Sequence, residues 1–123
     1  MKESESLFTI LNQRTRLISA AMHYLIENHP DATIIHIAGH LTNADSRIWN
    51  RCLSEASILN AKCLILDVRD LVHVDSGGLG FLIRPMMSGR KAGIRVELRH
   101  PQPALMRLMR MARYDRQFPI VST

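Results

Sequence analysis

The chain predicts an α/β domain, a mixed β-sheet flanked by α-helices, and three observations carry that expectation. Apolar runs bounded by polar or turn-forming residues recur at Thr33–Ala38, Lys62–Val68 and Ile94–Arg99, and each reads as a strand. Stretches with apolar residues at helical spacing follow each of them. The length, 123 residues with 46% hydrophobic side chains, suits one globular domain with an ordinary core.

Taken in order, residues 4–13 place Leu7, Ile10 and Leu11 at the spacing of a short amphipathic helix. Leu17–Glu27 has two readings, a helix using Leu17, Ala21, Tyr24 and Leu25 or a strand closed by the turn Asn28-His29-Pro30-Asp31. The strand at Thr33–Ala38 favours the second, because a hairpin would pair the two. Gly39-His40-Leu41-Thr42-Asn43 then breaks the sheet. Asn43 or Asp45 caps a helix to about Leu59, with Ile48, Trp49, Cys52, Ala56 and Leu59 on one face.

The strand Lys62–Val68 is followed by a short polar loop and by Val74-Asp75-Ser76-Gly77-Gly78-Leu79-Gly80, which opens a helix to about Ser88. Pro85, inside that helix, deletes one backbone hydrogen bond and should kink or shorten it. Gly89–Gly93 reads as a polar turn before the strand Ile94–Arg99. Pro101 and Pro103 open a last helix, Ala104–Tyr114, with Leu105, Leu108, Met109 and Ala112 as its core stripe. Phe118–Val121 closes the fold.

Composition narrows the function. The net charge of +5 is uneven: residues 1–79 carry seven basic and nine acidic side chains, and residues 80–123 carry nine and two. A basic half can meet nucleic acid, anionic lipid or an acidic protein. Aromatics are scarce, 5% of residues, and the basic half offers only Phe81, Tyr114 and Phe118, too few for a base-stacking platform. Direct nucleic-acid binding is therefore not expected. Nor is a membrane span, since no apolar run approaches the roughly 18 residues required. Cys52 and Cys63 belong to no CxxC or Cys/His cluster and read as buried free thiols of a reducing cytoplasm.

Six histidines (His23, His29, His36, His40, His73, His100) include no HxH or HExxH spacing, so no metal site is expected. Gly77-Gly78-Leu79-Gly80 lacks the Lys-Ser/Thr of a P-loop, and Ser76 lacks the GxSxG context of a hydrolase nucleophile. No cofactor and no catalytic residue is assigned; the chain reads as a non-enzyme. The basic ridge Arg107, Arg110 and Arg113 reads as a solvated face that could also dock an acidic partner or phosphate-rich ligand.

Ser76 is the residue of greatest interest. It stands where a strand hands over to a helix, close to the N-cap position, with Asp75 at the positive end of the dipole. It is either a cap or a site whose modification matters. Ligand sites of α/β sheets collect at the carboxyl ends of strands, and the segments Gly39–Asn43 and Asp75–Leu79 both begin there. They are expected to share one surface.

The segments Gly39-His40-Leu41-Thr42, Cys63-Leu64-Ile65-Leu66-Asp67-Val68 and Val74-Asp75-Ser76-Gly77-Gly78-Leu79-Gly80 resemble those of a STAS domain. So does the tail from His100-Pro101-Gln102-Pro103-Ala104-Leu105 to Tyr114-Asp115-Arg116-Gln117-Phe118-Pro119-Ile120. The resemblance is to the bacterial anti-sigma factor antagonists and covers about residues 17–121, leaving 1–16 as an N-terminal extension. It implies a cytoplasmic partner-switching protein, a monomer or weak dimer. The serine after Asp, here Ser76, would be phosphorylated by a cognate anti-sigma factor serine kinase and restored by a PP2C-type phosphatase. Gly39, Leu41, Thr42, Asn43, Asp75, Gly77, Gly78 and Leu79 would form the partner-binding surface.

Two positions depart from the family pattern. Gly77 replaces the second serine of the motif, which suggests a less polar and more mobile loop, and Thr42 stands where many members carry an acidic residue. The bare Gly77 and Gly78 are expected to give a kinase room at the hydroxyl. An alternative within the resemblance is a non-phosphorylated STAS subunit of a larger assembly, such as a lipid-transport ATPase, in which Ser76 is only a cap.

Overall fold

The computed structural model describes residues 21–122, so the helix expected at 4–13 lies outside the described residues. Strands β1 (Met22–Asn28) and β2 (Thr33–Leu41) form an antiparallel hairpin, its turn closed by His29 N–H donating to Ala32 O at 2.8 Å. The strand reading of this stretch therefore holds for its described part. Met22, Tyr24 and Ile26 alternate toward the core, a period of two that a helix cannot give.

Beyond the hairpin come α1 (Ser46–Ala56), β3 (Cys63–Val74), α2 (Ser76–Lys91), β4 (Arg95–Arg99), α3 (Pro103–Met111) and β5 (Ile120–Val121). The five strands lie in the order β1-β2-β3-β4-β5, antiparallel at β1–β2 and parallel elsewhere. Trp49 and Cys52 of α1, Leu82 and Met86 of α2, and Leu105 and Met109 of α3 join Ile35, Ile37, Leu64, Leu66, Val96 and Leu98 of the sheet in one core. The mixed β-sheet flanked by α-helices that the sequence predicts is present.

Several boundaries differ from expectation. The sheet is not broken at Gly39, and Arg69–His73 is not a loop. β2 runs through Gly39 at φ 85°, a value favouring glycine, and β3 continues to Val74. The two extensions pair with each other, Ala38 with Asp70, Gly39 with Leu71, His40 with His73 and Leu41 with Val74. Each supplies the backbone partners the other needs, and buried Leu41 and Leu71 anchor them to the core.

Asp45, one of the two residues expected, is the N-cap of α1, though its side chain makes no capping hydrogen bond to that helix. A turn of 3-10 helix over Asn43–Asp45 precedes α1, and Thr42 caps it: Thr42 Oγ1 accepts from Ala44 N–H at 3.3 Å while Asp45 Oδ2 accepts from Thr42 N–H at 2.7 Å. α1 stops at Ala56, where Ser57 turns left-handed at φ 50°, rather than near Leu59, whose side chain lies outside what is described.

Pro85 does not shorten α2, which reaches Lys91. Leu82, Ile83, Pro85 and Met86 are all buried, and at about 1.5–3 kcal/mol per large apolar side chain their packing outweighs the roughly 3 kcal/mol cost of proline. Gly89, expected to start a turn, is helical and buried, and a Cβ there would meet Val96 Cγ2 at 2.8 Å. The stop is Gly93, φ 80°, where Gly93 N–H donates to Arg90 O and Ile94 N–H to Gly89 O.

The same motif ends α3 three residues early. Arg113 takes φ 64°, and Tyr114 N–H donates to Met109 O at 2.8 Å. Leu105, Leu108 and Met109 face inward as expected, while Ala112 falls in the exposed turn. Cys52 is buried, but Cys63 is only half-buried. Among the described residues no helix is long and apolar enough to cross a membrane.

One polar network crosses three strands. His36 Nε2 meets Glu27 Oε2 at 2.5 Å and His36 Nδ1 lies 3.4 Å from Asp67 Oδ2. Burial pushes the His36 pKa down, but hydrogen bonds and charge from Asp67 and Glu27 outweigh it and hold the imidazole above its ordinary 6.5. Burial likewise pushes Asp67 up, and the His36 and Arg69 N–H hydrogen bonds outweigh it, leaving the carboxyl below 3.8.

A group with a raised folded pKa stabilises fully below its unfolded value and loses that contribution as pH rises through the folded value. Asp67, being lowered, stabilises above its unfolded value and loses the contribution as pH falls through the folded one. The parent Tm should therefore fall as pH rises above 6.5 and through the raised His36 value, and His36→Gln should flatten that slope. Melting curves followed by circular dichroism test this; an identical slope in the variant contradicts it.

Candidate functional site

β2 and β3 end side by side, with Leu41 paired to Val74, so the segments that follow them emerge together. Asp75 joins them. Its Oδ1 accepts from Gly78 N–H at 2.7 Å as the N-cap of α2, and its Oδ2 accepts from Asn43 N–H at 3.3 Å. Its own N–H donates to Leu41 O at 3.4 Å. The Gly78 bond, with further help from the Asn43 and Gly77 N–H groups and the His73 charge, holds the Asp75 carboxyl below its ordinary pKa, so it is ionised at neutral pH.

The first turn of α2 lies against the chain between β2 and α1 at backbone distance. A Cβ on Gly78 would stand 1.9 Å from Leu41 O and 2.7 Å from Leu41 C, and one on Gly77 would stand 2.9 Å from Asn43 Cβ. These glycines are therefore bare to let two backbones touch, not to open a path to Ser76. Nor is Gly77 in a loose loop; it is helical and packed on Asn43. A serine at position 77 would need a shift at Asn43.

Ser76 is the first residue of α2 and is exposed. The cap is Asp75, not Ser76, so the capping explanation for Ser76 fails. Its side chain stands on the surface next to Gly77, which packs on Asn43, at the positive end of a helix of 16 residues. Of the remaining expected partner-binding residues, Gly39 is half-buried in β2, two positions before Leu41. Leu41, Gly78 and Leu79 are buried, and this corrects their expected role: they hold the surface together from beneath and offer a partner little to touch.

Sequence reasoning missed His40 and His73. Their rings pack at 5.1 Å between centroids and a 55° tilt, one residue before the strand-end pair Leu41 and Val74. The signal was the repeated order His, apolar, polar in His40-Leu41-Thr42 and His73-Val74-Asp75. Among the described residues no group of three His, Cys, Asp or Glu side chains is arranged to hold a metal ion.

The chain is similar to several solved structures at identities that establish a shared fold. An anti-sigma factor antagonist from Mycobacterium paratuberculosis superposes with a TM-score of 0.70 at 20% identity, covering 85% of this chain and 88% of that one. A putative anti-sigma factor antagonist from Thermotoga maritima gives 0.73 at 18% identity, covering 81% and 86%. The Bacillus cell fate determinant SpoIIAA in its phosphorylated form gives 0.63 at 18% identity, covering 80% and 91%. No curated protein matches the chain. The sequence profile of the STAS domain matches residues 23–123, which includes both strand-end segments and the Ser76 helix, and the chain belongs to the STAS domain family.

Proposed function

We propose that this protein is an anti-sigma factor antagonist that switches partners through reversible phosphorylation of Ser76. The observation that carries the reading is an exposed serine that caps nothing, fixed at a helix start between two segments tied by Asp75. Its likeness to antagonists, one of them in a phosphorylated form, supports the role. A cognate anti-sigma factor serine kinase would be both the modifying enzyme and a partner, and a PP2C-type phosphatase would reverse the modification.

The chemistry is local. A phosphoryl group adds about −1.5 to −2 charges at neutral pH. The helix N-terminus tolerates that charge, since its N–H groups and dipole favour anions. A partner packed on Thr42, Asn43 and Gly77 would instead face added bulk and repulsion beside ionised Asp75. Phosphate thus excludes a partner while leaving the domain folded.

Because Ser76 is not the cap, Ser76→Ala should change stability by less than about 0.5 kcal/mol. It should abolish phosphate incorporation by the cognate kinase and keep the partner bound, whereas Ser76→Glu should release it in part. Phosphopeptide mapping after incubation with kinase and ATP decides the matter. Modification at another serine, or equal partner affinity of the Ala and Glu variants, overturns the proposal.

The two halves of the site should fail differently. Gly78→Ala forces its methyl into Leu41 O and should cost about 1–3 kcal/mol of stability, with partner binding lost alongside. Asn43→Lys, at an exposed position, should weaken the same partner at an unchanged Tm. Thermal melting paired with titration calorimetry tests both; a Gly78→Ala protein of parent stability contradicts the packing argument.

A further inference from the structure

The outer face of α2 carries positive charge that no described carboxylate answers. Arg84, Met87, Ser88 and Lys91 follow the three- and four-residue spacing of one helix face and are all exposed. With Arg90 they line an open groove of about 540 Å³. Its arginines are held in place. The Arg84 guanidinium lies 5.9 Å from the centre of the Phe81 ring, and that of Arg90 lies 5.1 Å from the centre of the Phe118 ring. Arg90 Nη1 also donates to Gln117 O at 2.9 Å. The ion pairs of the described residues join Glu27 to His29 and His36, Asp67 to His36, and Glu97 to Arg99, and none reaches the groove. Arg90 and Lys91 sit where cations offset the negative end of the helix dipole, but Arg84, two turns earlier, has no such duty. Met87, amid these cations, is left 43% exposed.

We propose that this groove docks an acidic helical segment of a partner protein, on a surface separate from Ser76. Charge complementarity sets the sign of the occupant. Residues 80–123 hold nine basic side chains against buried Glu97, already paired with Arg99, and half-buried Asp115. The spacing sets its form. Arg84 and Lys91 are seven residues apart, about 10 Å along the helix axis. A helix with carboxylates seven residues apart and an apolar side chain midway between them offers the matching stripe, with the apolar group over Met87. Nucleic acid fits less well, because Phe81 and Phe118 already lie beneath guanidinium groups and Tyr114 packs against the core, leaving no ring there for a base. A lipid surface fits less well too, since one methionine in a groove offers a flat bilayer little to embed.

A peptide titration tests this in the full chain. The probe is an alanine-rich helical peptide with glutamate pairs seven residues apart and a leucine midway between them. Amide signals of residues 81–92 should shift saturably. Arg84→Gln with Lys91→Gln should weaken the peptide roughly five- to tenfold. Arg47→Gln with Arg51→Gln, which removes the same charge from exposed positions of α1, should leave its affinity unchanged. An unchanged Tm in both double variants shows that each is folded. Equal loss in the two variants, or no saturable shift at residues 81–92, overturns the proposal. So does tighter binding at those residues by an oligothymidylate or by phosphatidylserine vesicles, which would assign the groove to nucleic acid or to a membrane.

Discussion

The Asp75 carboxylate is the interaction on which the rest of the site depends. One oxygen ends the backbone deficit of α2 at Gly78 N–H, and the other holds Asn43 N–H, 32 residues earlier in the chain. A single side chain thereby fixes two loops that follow neighbouring parallel strands. Its bonds to N–H donors favour the ionised form, so the link is held by charge-assisted hydrogen bonds at neutral pH. Gly78 completes the arrangement by letting helix and loop meet at backbone distance.

This arrangement separates rigidity from chemistry. Asp75 caps, Leu41, Gly78 and Leu79 pack, and none of those duties falls on Ser76. The hydroxyl is therefore free to change its charge without disturbing the helix that presents it. Thr42 contributes in the same way on the facing loop: its reciprocal bonds with Asp45 stiffen the turn next to Asn43. Partner selection by a local charge, as proposed for Ser76, would need such a frame, because a loop that yielded to a phosphate would lose the repulsion between it and a partner.

The order of strands and helices was legible in the sequence because apolar period and length are local signals. So was the pairing of the two strand-end segments, which follows from parallel topology. What escaped was non-local. Arg69–His73 looks like a polar loop, and it is a strand only because the continuation of β2 through Gly39 lies beside it. Gly89 looks like a turn residue, and it lies inside the helix, bare because Val96 lies across from it. Asp75 and Ser76 are both good caps by residue type, and geometry alone assigns the cap to Asp75. Gly77 and Gly78 read as openness in one dimension and are close packing in three.

The central claim is that charge at Ser76 acts on partner choice and leaves the domain otherwise unchanged. The most direct measurement compares amide spectra of the unmodified chain and the chain carrying phosphoserine at position 76, each alone and with the anti-sigma factor kinase. The account predicts shifts confined to residues 39–43 and 75–79 in the free protein, and loss of the kinase-induced changes in the phosphorylated one. Shifts spreading through β3 and β4, or kinase-induced changes that survive phosphorylation, would contradict it.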